Sequence, residues 1–368
     1  MPVFGSSTMI RQLRVLVVDH APIFGGVEAM INDLANAVDR EKFALTVATD
    51  TTSRVEFRDV DVQRIPMPRL RNNPAAMITA GLRLASLARD ADVMMTTAAR
   101  THAIGAVAAL LSSTPLIWRL ADDTFPLFLA QTLRRIPRRI IAVSSFIAGR
   151  CSPAPEKTVI IPDGLPDTGP ACQPAARAEM RRALGLTEGE VAAVIVARLV
   201  RWKGHAVFTR AVKMANVTGL IAGKEDESEG KLGGRGLRAE LESIGANVRF
   251  LGHRSDLQSL FAASDIFVHA SIRPEPLGRS VVQAMLAGLP VIATRAGAIP
   301  EVVGDAGRLT PAGDVDALAA ALTMDARTRE RLGREGRERA SARFELAANV
   351  RRLERLWVDV AESPYDNR

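Results

Sequence analysis

The stretch "RPEPLGRSVVQAMLAGLPVIAT", residues 273–294, sets a carboxylate, Glu275, just ahead of a helix and an amide, Gln283, eight residues later inside it. The free N–H groups in the first turn of a helix that follows a strand point outward and attract anions. Gly278 and Arg279 stand at that start, after Leu277, and a glycine lets a ligand come close to the backbone. Glu275 can accept hydrogen bonds from hydroxyls, and Gln283 can both donate and accept. Phosphate at the helix start with hydroxyls on either side describes a nucleotide diphosphate carrying a sugar. Alone, Glu275 would need no ligand, because a carboxylate near the positive end of a helix is worth ~0.3–1 kcal/mol.

Three other stretches join it. "VARLVRWKGH" (196–205) places Arg198 and Lys203 five residues apart beside a strand end. Two such cations can clamp a pyrophosphate, the Arg as a fork and the Lys as a point charge. "HAPIFGGVEAM" (20–30) carries Gly25 and Gly26 between a strand and a helix, where backbone bends and can contact phosphate. "RAGAIPEVVG" (295–304) is a strand end, a glycine turn and Pro300 at a first helical position.

These residues need a scaffold, and the chain supplies a rhythm for one. Short apolar runs at 14–19, 43–49, 92–97, 115–120, 138–144 and 157–164 alternate with amphipathic stretches such as 25–39 and 102–111. The rhythm restarts at 191–199, 218–223, 248–252, 265–271 and 290–294. Near-continuous apolar strands between helices predict parallel sheets covered on both faces. Residues 1–168 read as one doubly wound domain, 169–185 as a Pro-, Gly- and Ala-rich linker carrying one short helix and 186–349 as a second domain. A long amphipathic helix at the end, about residues 350–368, is predicted to close back onto the first domain. Two such domains in tandem are expected to face each other across a cleft, with ligands beyond the carboxyl ends of the strands.

Taken together, the motifs resemble the retaining, nucleotide-sugar-dependent glycosyltransferases of group 1, family GT4, with the GT-B fold. The matching pieces are "GGVE", "VSSFIAG" (143–149), "VIIPDG" (159–164), "ARLVRWKGH", "RFLGH" (249–253), "EPLGRSVVQAMLAGLPVIAT", "AGAIPEVV" and "GRLTPAGDVDALAAAL" (307–322). The resemblance implies that Arg198 and Lys203 hold the donor diphosphate, that Glu275 contacts the donor sugar and that Gly25, Gly26, Leu277, Gly278 and Arg279 line the phosphates. It implies same-face substitution through an oxocarbenium-like state, with Glu275, Arg198 and Lys203 as the catalytic set. The leaving diphosphate takes the acceptor's proton, and no metal or other cofactor is required. The donor it implies is a UDP-sugar first and a GDP-sugar next. The acceptor is a glycan, a glycolipid or a small molecule. Gln283 departs from the pattern: it stands where a second Glu normally holds the ribose. Asp163 replaces the commoner Asn. On the acceptor side Ala121 stands about where many relatives carry a His, which leaves His102, Arg119, Asp122 and Asp123 as candidates.

Composition narrows the alternatives. Charged residues are 24% of the chain and aromatics 4%, a globular mix with little surface for stacking bases. The net charge is +7, and Arg supplies nearly all of it, since only six of the 48 Lys and Arg residues are Lys. No basic run carries interleaved aromatics, which argues against nucleic acid. The positive balance leaves open peripheral contact with an anionic membrane. Two cysteines, no signal peptide and no apolar run of ~18 residues predict a cytoplasmic protein. "GLIAGKE" (219–225) lacks the spacing of a Walker A loop, and no G-x-G-x-x-G follows the first strand. A nucleotide-sugar 2-epimerase on the same fold and a non-catalytic nucleotide-sugar binding module are the rival readings. Scattered histidines weigh against the first, and Gln283 keeps the second.

Overall fold

A computed structural model of the chain describes residues 11–21, 25–68, 74–121, 127–169, 174–226 and 233–363. They form two compact units, one of residues 1–164 and 346–368 and the other of residues 165–345. In the first unit the order is β1 (Leu13–Val18), α1 (Gly26–Ala37), β2 (Phe43–Asp50), β3 (Asp61–Ile65), α2 (Pro74–Ala88), β4 (Val93–Thr96), α3 (Ala99–Ser112), β5 (Leu116–Leu120), α4 (Leu127–Leu133), β6 (Arg139–Ala142), α5 (Ser145–Cys151) and β7 (Thr158–Ile160). The second unit holds α6 (Pro174–Ala183), β8 (Ala192–Val196), α7 (His205–Ala215), β9 (Thr218–Ala222), α8 (Leu237–Ser243), β10 (Val248–Gly252), α9 (Leu257–Ala263), β11 (Ile266–His269), α10 (Arg279–Leu286), β12 (Val291–Thr294), α11 (Ile299–Val303), β13 (Arg308–Thr310), α12 (Val315–Leu322) and α13 (Ala326–Phe344). The last helix, α14 (Leu346–Glu362), returns to the first unit.

Among the described residues each unit has one parallel sheet, ordered β3-β2-β1-β4-β5-β6-β7 and β10-β9-β8-β11-β12-β13. Every β4 and β5 residue is buried, as a strand covered on both faces must be. Both strand orders reverse direction once: between β1 and β4 in the first unit, and between β8 and β11 in the second. At such a switch point the loops leave the sheet in opposite directions and open a crevice at the carboxyl ends of the strands. The loops that carry Gly25, Arg198, Lys203 and Glu275 leave from three of these four strands, β1, β8 and β11.

Two details of the organisation go beyond the expectation. The short helix expected in 169–185 is α6, and it is fixed to the second unit. Arg177 and Arg181 donate to Asp265 at 2.6 and 3.3 Å, and to the carbonyls of Ala262, Ser264 and Ala263. The polar edge strand β3 escapes an apolar-run reading, because its first four residues are exposed or half-buried.

In α14, Val350, Leu353, Trp357 and Val360 recur at helical spacing and are buried in the first unit's core. The Trp357 ring meets Phe43 edge-on at 5.6 Å and 62°. Its indole Nε1 is buried with no hydrogen-bond partner among the described residues. Trp357→Ala should therefore cost ~3–5 kcal/mol of first-unit stability. Trp357→Phe should cost less, because it keeps a ring against Phe43 and removes the unsatisfied N–H. Urea denaturation of the two variants tests the order.

Candidate functional site

At the second unit's switch point, two loops are stitched together before any ligand is considered. The loop after β8 makes a short 3-10 turn at Arg201–Lys203, and Gly204 then opens α7 with φ +75°. A Cβ at Gly204 would lie 1.8 Å from the carbonyl oxygen of Ala270, which follows β11, so only glycine lets the loops touch here. The Ile272 amide donates to the Trp202 carbonyl at 2.8 Å, a second stitch. Buried His205, first residue of α7, donates from Nε2 to the Arg198 carbonyl at 2.9 Å. Burial pushes the His205 pKa down to about 4, so its ring is neutral and acts as a brace.

Glu275 is the centre of the site. Its Oε1 accepts from Lys203 Nζ at 2.7 Å, from His269 Nε2 at 2.7 Å and from Ser271 Oγ. The Glu275 residue is only 7% exposed. Burial alone would push its pKa up; the Lys203 ammonium and His269 outweigh that and hold it well below the usual carboxylate range. An ionised carboxylate is therefore kept in a largely dry place, with three donors on one oxygen and none on Oε2 among the described residues. Its loop is pinned from behind. The Ala298 amide donates to the Glu275 carbonyl at 2.9 Å, and a Cβ at Gly297 (φ +62°) would lie 2.4 Å from that oxygen. Lys203 Nζ also lies 4.3 Å over the Trp202 ring.

The other residues singled out by sequence fall around this centre or away from it. Gly278 is the N-cap of α10, Arg279 its first residue, and Gln283 sits half-buried within it. Leu277 has a buried side chain, which leaves its backbone for any ligand. Arg198 is exposed and pairs with Asp226. In the first unit Gly25 caps α1 in extended backbone, φ −147°, and Gly26 is the first residue of that helix; both are exposed.

Two of the acceptor-side candidates are placed in the core. His102 is fully buried and stacked on Trp118 at 3.9 Å, and burial drives its pKa down to about 3. The aromatic neighbour, absent from any local pattern, keeps this ring inside and neutral. Arg119 is 4% exposed and paired with Asp163, so the "IPDG" aspartate answers a buried guanidinium. Asp122 and Asp123 lie outside the described residues. Sequence reasoning missed His269, Ser271, His205 and Asp226. The first two had a signal, since both lie within six residues of Glu275 and alternate on one extended stretch.

Among the described residues no group of three His, Cys, Asp or Glu side chains could hold a metal ion, and no helix is long and apolar enough to cross a membrane.

Comparison with known proteins adds an independent line. The family model "Glycosyl transferases group 1" matches residues 190–324, and "Glycosyltransferase Family 4" matches residues 24–168. The alpha-maltose-1-phosphate synthase of Mycobacterium tuberculosis is 30% identical over 343 residues, 82% of this chain and 85% of that protein. The phosphatidyl-myo-inositol mannosyltransferase of Mycobacterium leprae is 34% identical over 151 residues, 39% of this chain. That match spans only 38% of the mannosyltransferase's length. The crystal structure of Anabaena HepE in complex with UDP and glucose superimposes with a TM-score of 0.82 and 24% identity. It covers 94% of this chain and 100% of that one.

The pairing of Lys203 with Glu275 carries a stability consequence. Removing one partner of a buried pair leaves an uncompensated charge, which costs ~3–5 kcal/mol. His269 and Ser271 still solvate Glu275, so Lys203→Ala should fall near the lower end, about 3 kcal/mol. Lys203→Ala with Glu275→Gln should recover much of that loss. Additive losses in a double-mutant denaturation series would show that the two side chains do not act as a pair.

Proposed function

The chain belongs to the group 1, family 4 glycosyltransferases and has their GT-B fold, and from that membership we propose that it transfers a sugar from a nucleotide diphosphate sugar to an acceptor hydroxyl. The donor sugar is hexose-type, carried by UDP in the first instance and by GDP in the second, and its anomeric configuration is retained. The acceptor is a cell-surface glycan, a glycolipid or a small molecule. The observation that carries the reading is the ionised Glu275 beside Lys203 and the start of α10, at the point where the second sheet reverses.

In this reading the chain's groups have separate tasks. The amides at the start of α10, with Gly278 as cap, receive the diphosphate. Lys203 has three donors, so it can hold Glu275 and still donate to a phosphate oxygen. Arg198 supplies a second cation from the same loop. As the glycosidic bond breaks, negative charge grows on the leaving phosphate, and fixed cations and dipoles stabilise it without reorganising. That phosphate takes the proton of the incoming hydroxyl. Glu275 accepts from sugar hydroxyls through Oε2, the oxygen left open by its three protein donors. It positions the sugar and does not attack it. Gln283 contacts the ribose through a neutral hydrogen bond.

Turnover with a panel of nucleotide sugars tests the reading. Nucleotide release that depends on an added acceptor supports transfer; an epimerised sugar without acceptor, or binding without either, does not. Gln283→Glu replaces a neutral contact by a charge-assisted one, a gain of roughly 1 kcal/mol. Nucleotide diphosphate should then bind several-fold tighter in calorimetry, and a distinctly weaker variant would remove Gln283 from the ribose. Glu275→Ala should lower turnover more than it weakens binding of the bare nucleotide diphosphate, with Glu275→Gln intermediate. Proton NMR of the first-formed product reads the anomeric configuration. An inverted product, or a sugar trapped on Glu275, contradicts same-face transfer.

A further inference from the structure

The cation-bearing loop of the second unit has a neighbour that the donor reading leaves without a task. Past the ends of β8 and β9 the two loops go on pairing as the strands do. The Ala197 amide donates to the Ala222 carbonyl at 3.0 Å, the Leu199 amide to the Lys224 carbonyl at 2.7 Å and the Asp226 amide to the Leu199 carbonyl at 3.3 Å. The Asp226 carbonyl accepts in turn from the Gly234 amide at 2.7 Å, and a Cβ at Gly234 would lie 1.9 Å from the Leu199 carbonyl oxygen. Glu225 is tied down as well: its Oε1 accepts at 2.9 Å from the Arg238 amide, in the first turn of α8. This stitching sets the Asp226 carboxylate against the Arg198 guanidinium, where Oδ2 accepts from Nη1. His205 braces the Arg198 carbonyl at 2.9 Å. Backbone and side chain of one arginine are thus both fixed.

We propose that Asp226 is a positioning residue: it holds the Arg198 guanidinium in one arrangement before the donor arrives, and keeps hold of it while the diphosphate is bound. The proposal rests on the donor reading given above, in which Arg198 meets the diphosphate. Stability does not explain the contact. The Arg198 side chain is 46% exposed and that of Asp226 is 12% exposed, and an ion pair with so exposed a member adds little to folding. Ligand binding does explain it. A long exposed arginine left alone samples many rotamers, and fixing it when a ligand arrives weakens binding. A guanidinium presents five N–H donors in a rigid fork, and a bidentate carboxylate engages two of them. Asp226 can therefore orient the fork while other N–H groups address a phosphate. Asp226 also adds a negative charge to the loop. At physiological salt the field of a surface charge is largely screened beyond ~8 Å, whereas a partly buried contact pair is screened much less. The ordering of Arg198 is thus the effect that persists.

UDP and UMP share base, ribose and first phosphate, so the ratio of their dissociation constants reads the contacts made to the second phosphate. Calorimetric titration of both, at ~0.15 M salt, compares the wild type with Asp226→Ala, Arg198→Ala and the double variant. The preference for UDP over UMP should fall several-fold in Asp226→Ala, and adding Asp226→Ala to Arg198→Ala should change nothing further. Asp226→Asn keeps the shape and one acceptor oxygen, so it should lie between, and it decides the matter if the Ala variant does not fold. Nitrogen NMR relaxation at Arg198 Nε, in the protein without nucleotide, should report an ordered side chain that becomes mobile in the Asp226 variants. Tighter UDP binding in Asp226→Ala would show that the carboxylate competes with phosphate for Arg198. An equal loss for UDP and UMP would reduce Asp226 to a brace for its loop. Either result overturns the positioning role, as does an Nε equally ordered with and without Asp226. If UDP binds and Arg198→Ala keeps the full preference, the placement of Arg198 at the diphosphate falls. If Arg198→Ala loses the preference and Asp226→Ala does not, that placement stands and the positioning role alone falls. Should neither UDP nor GDP bind the wild type, the donor reading falls, while the order at Nε still decides whether Asp226 holds Arg198.

Discussion

A lysine and a glutamate 72 residues apart in sequence meet at 2.7 Å, and much of the second unit is arranged so that they can. A carboxylate as buried as Glu275 stays ionised only if opposite charge and donors surround it. Lys203, His269 and Ser271 meet that requirement on a single oxygen. The cost is geometric. The Lys203 turn must lie against the end of β11, which is why Gly204 has no Cβ, and the Glu275 loop must lie against the turn before α11, which constrains Gly297 in the same way. His205 holds the Arg198 backbone from beneath. The ion pair thus ties together loops from three different strands, and the start of α10 is carried on one of them.

The two units use their switch points differently. Both sheets reverse once, and each reversal gathers titratable groups beyond the strand ends. In the second unit the carboxylate faces a cation and stays charged. In the first, Asp19 and Glu28 are both buried beyond the strand end, and burial first, then the Asp19 charge, push the Glu28 pKa up to about 7. One site sets a carboxylate and a cation beside a helix start; the other buries two carboxyls near a glycine turn.

How far the sequence revealed this depends on the range of each interaction. The parallel sheets were legible because most strands are buried and read as apolar runs, and eleven runs land on observed strands within a few residues at their ends. Edge strands β3 and β13 were not, because Asp61, Gln63 and Arg64 interrupt the first and the second is only three residues, Arg308–Thr310. The Glu275 loop and its helix were legible from local spacing, and so was the cation-bearing loop before His205. That Lys203 and Glu275 form one unit was not, because nothing local connects them. The same holds for Arg119 with Asp163, and for His102 against Trp118. Arg119 reads locally as a polar residue near a strand end and His102 as a lone His on a small-residue helix, and each becomes a core group only when a distant partner is folded onto it.

The central claim is that the nucleotide-sugar donor is held at the second unit's switch point, by the α10 start, Lys203 and Glu275. A crystal structure of the protein soaked with UDP tests it most directly. The account predicts diphosphate density at the Gly278 and Arg279 amides, within hydrogen-bonding distance of Lys203 Nζ, with the Lys203–Glu275 contact retained and the ribose toward Gln283. Diphosphate bound away from α10, or a Lys203 side chain that leaves Glu275 altogether to reach it, would contradict the account.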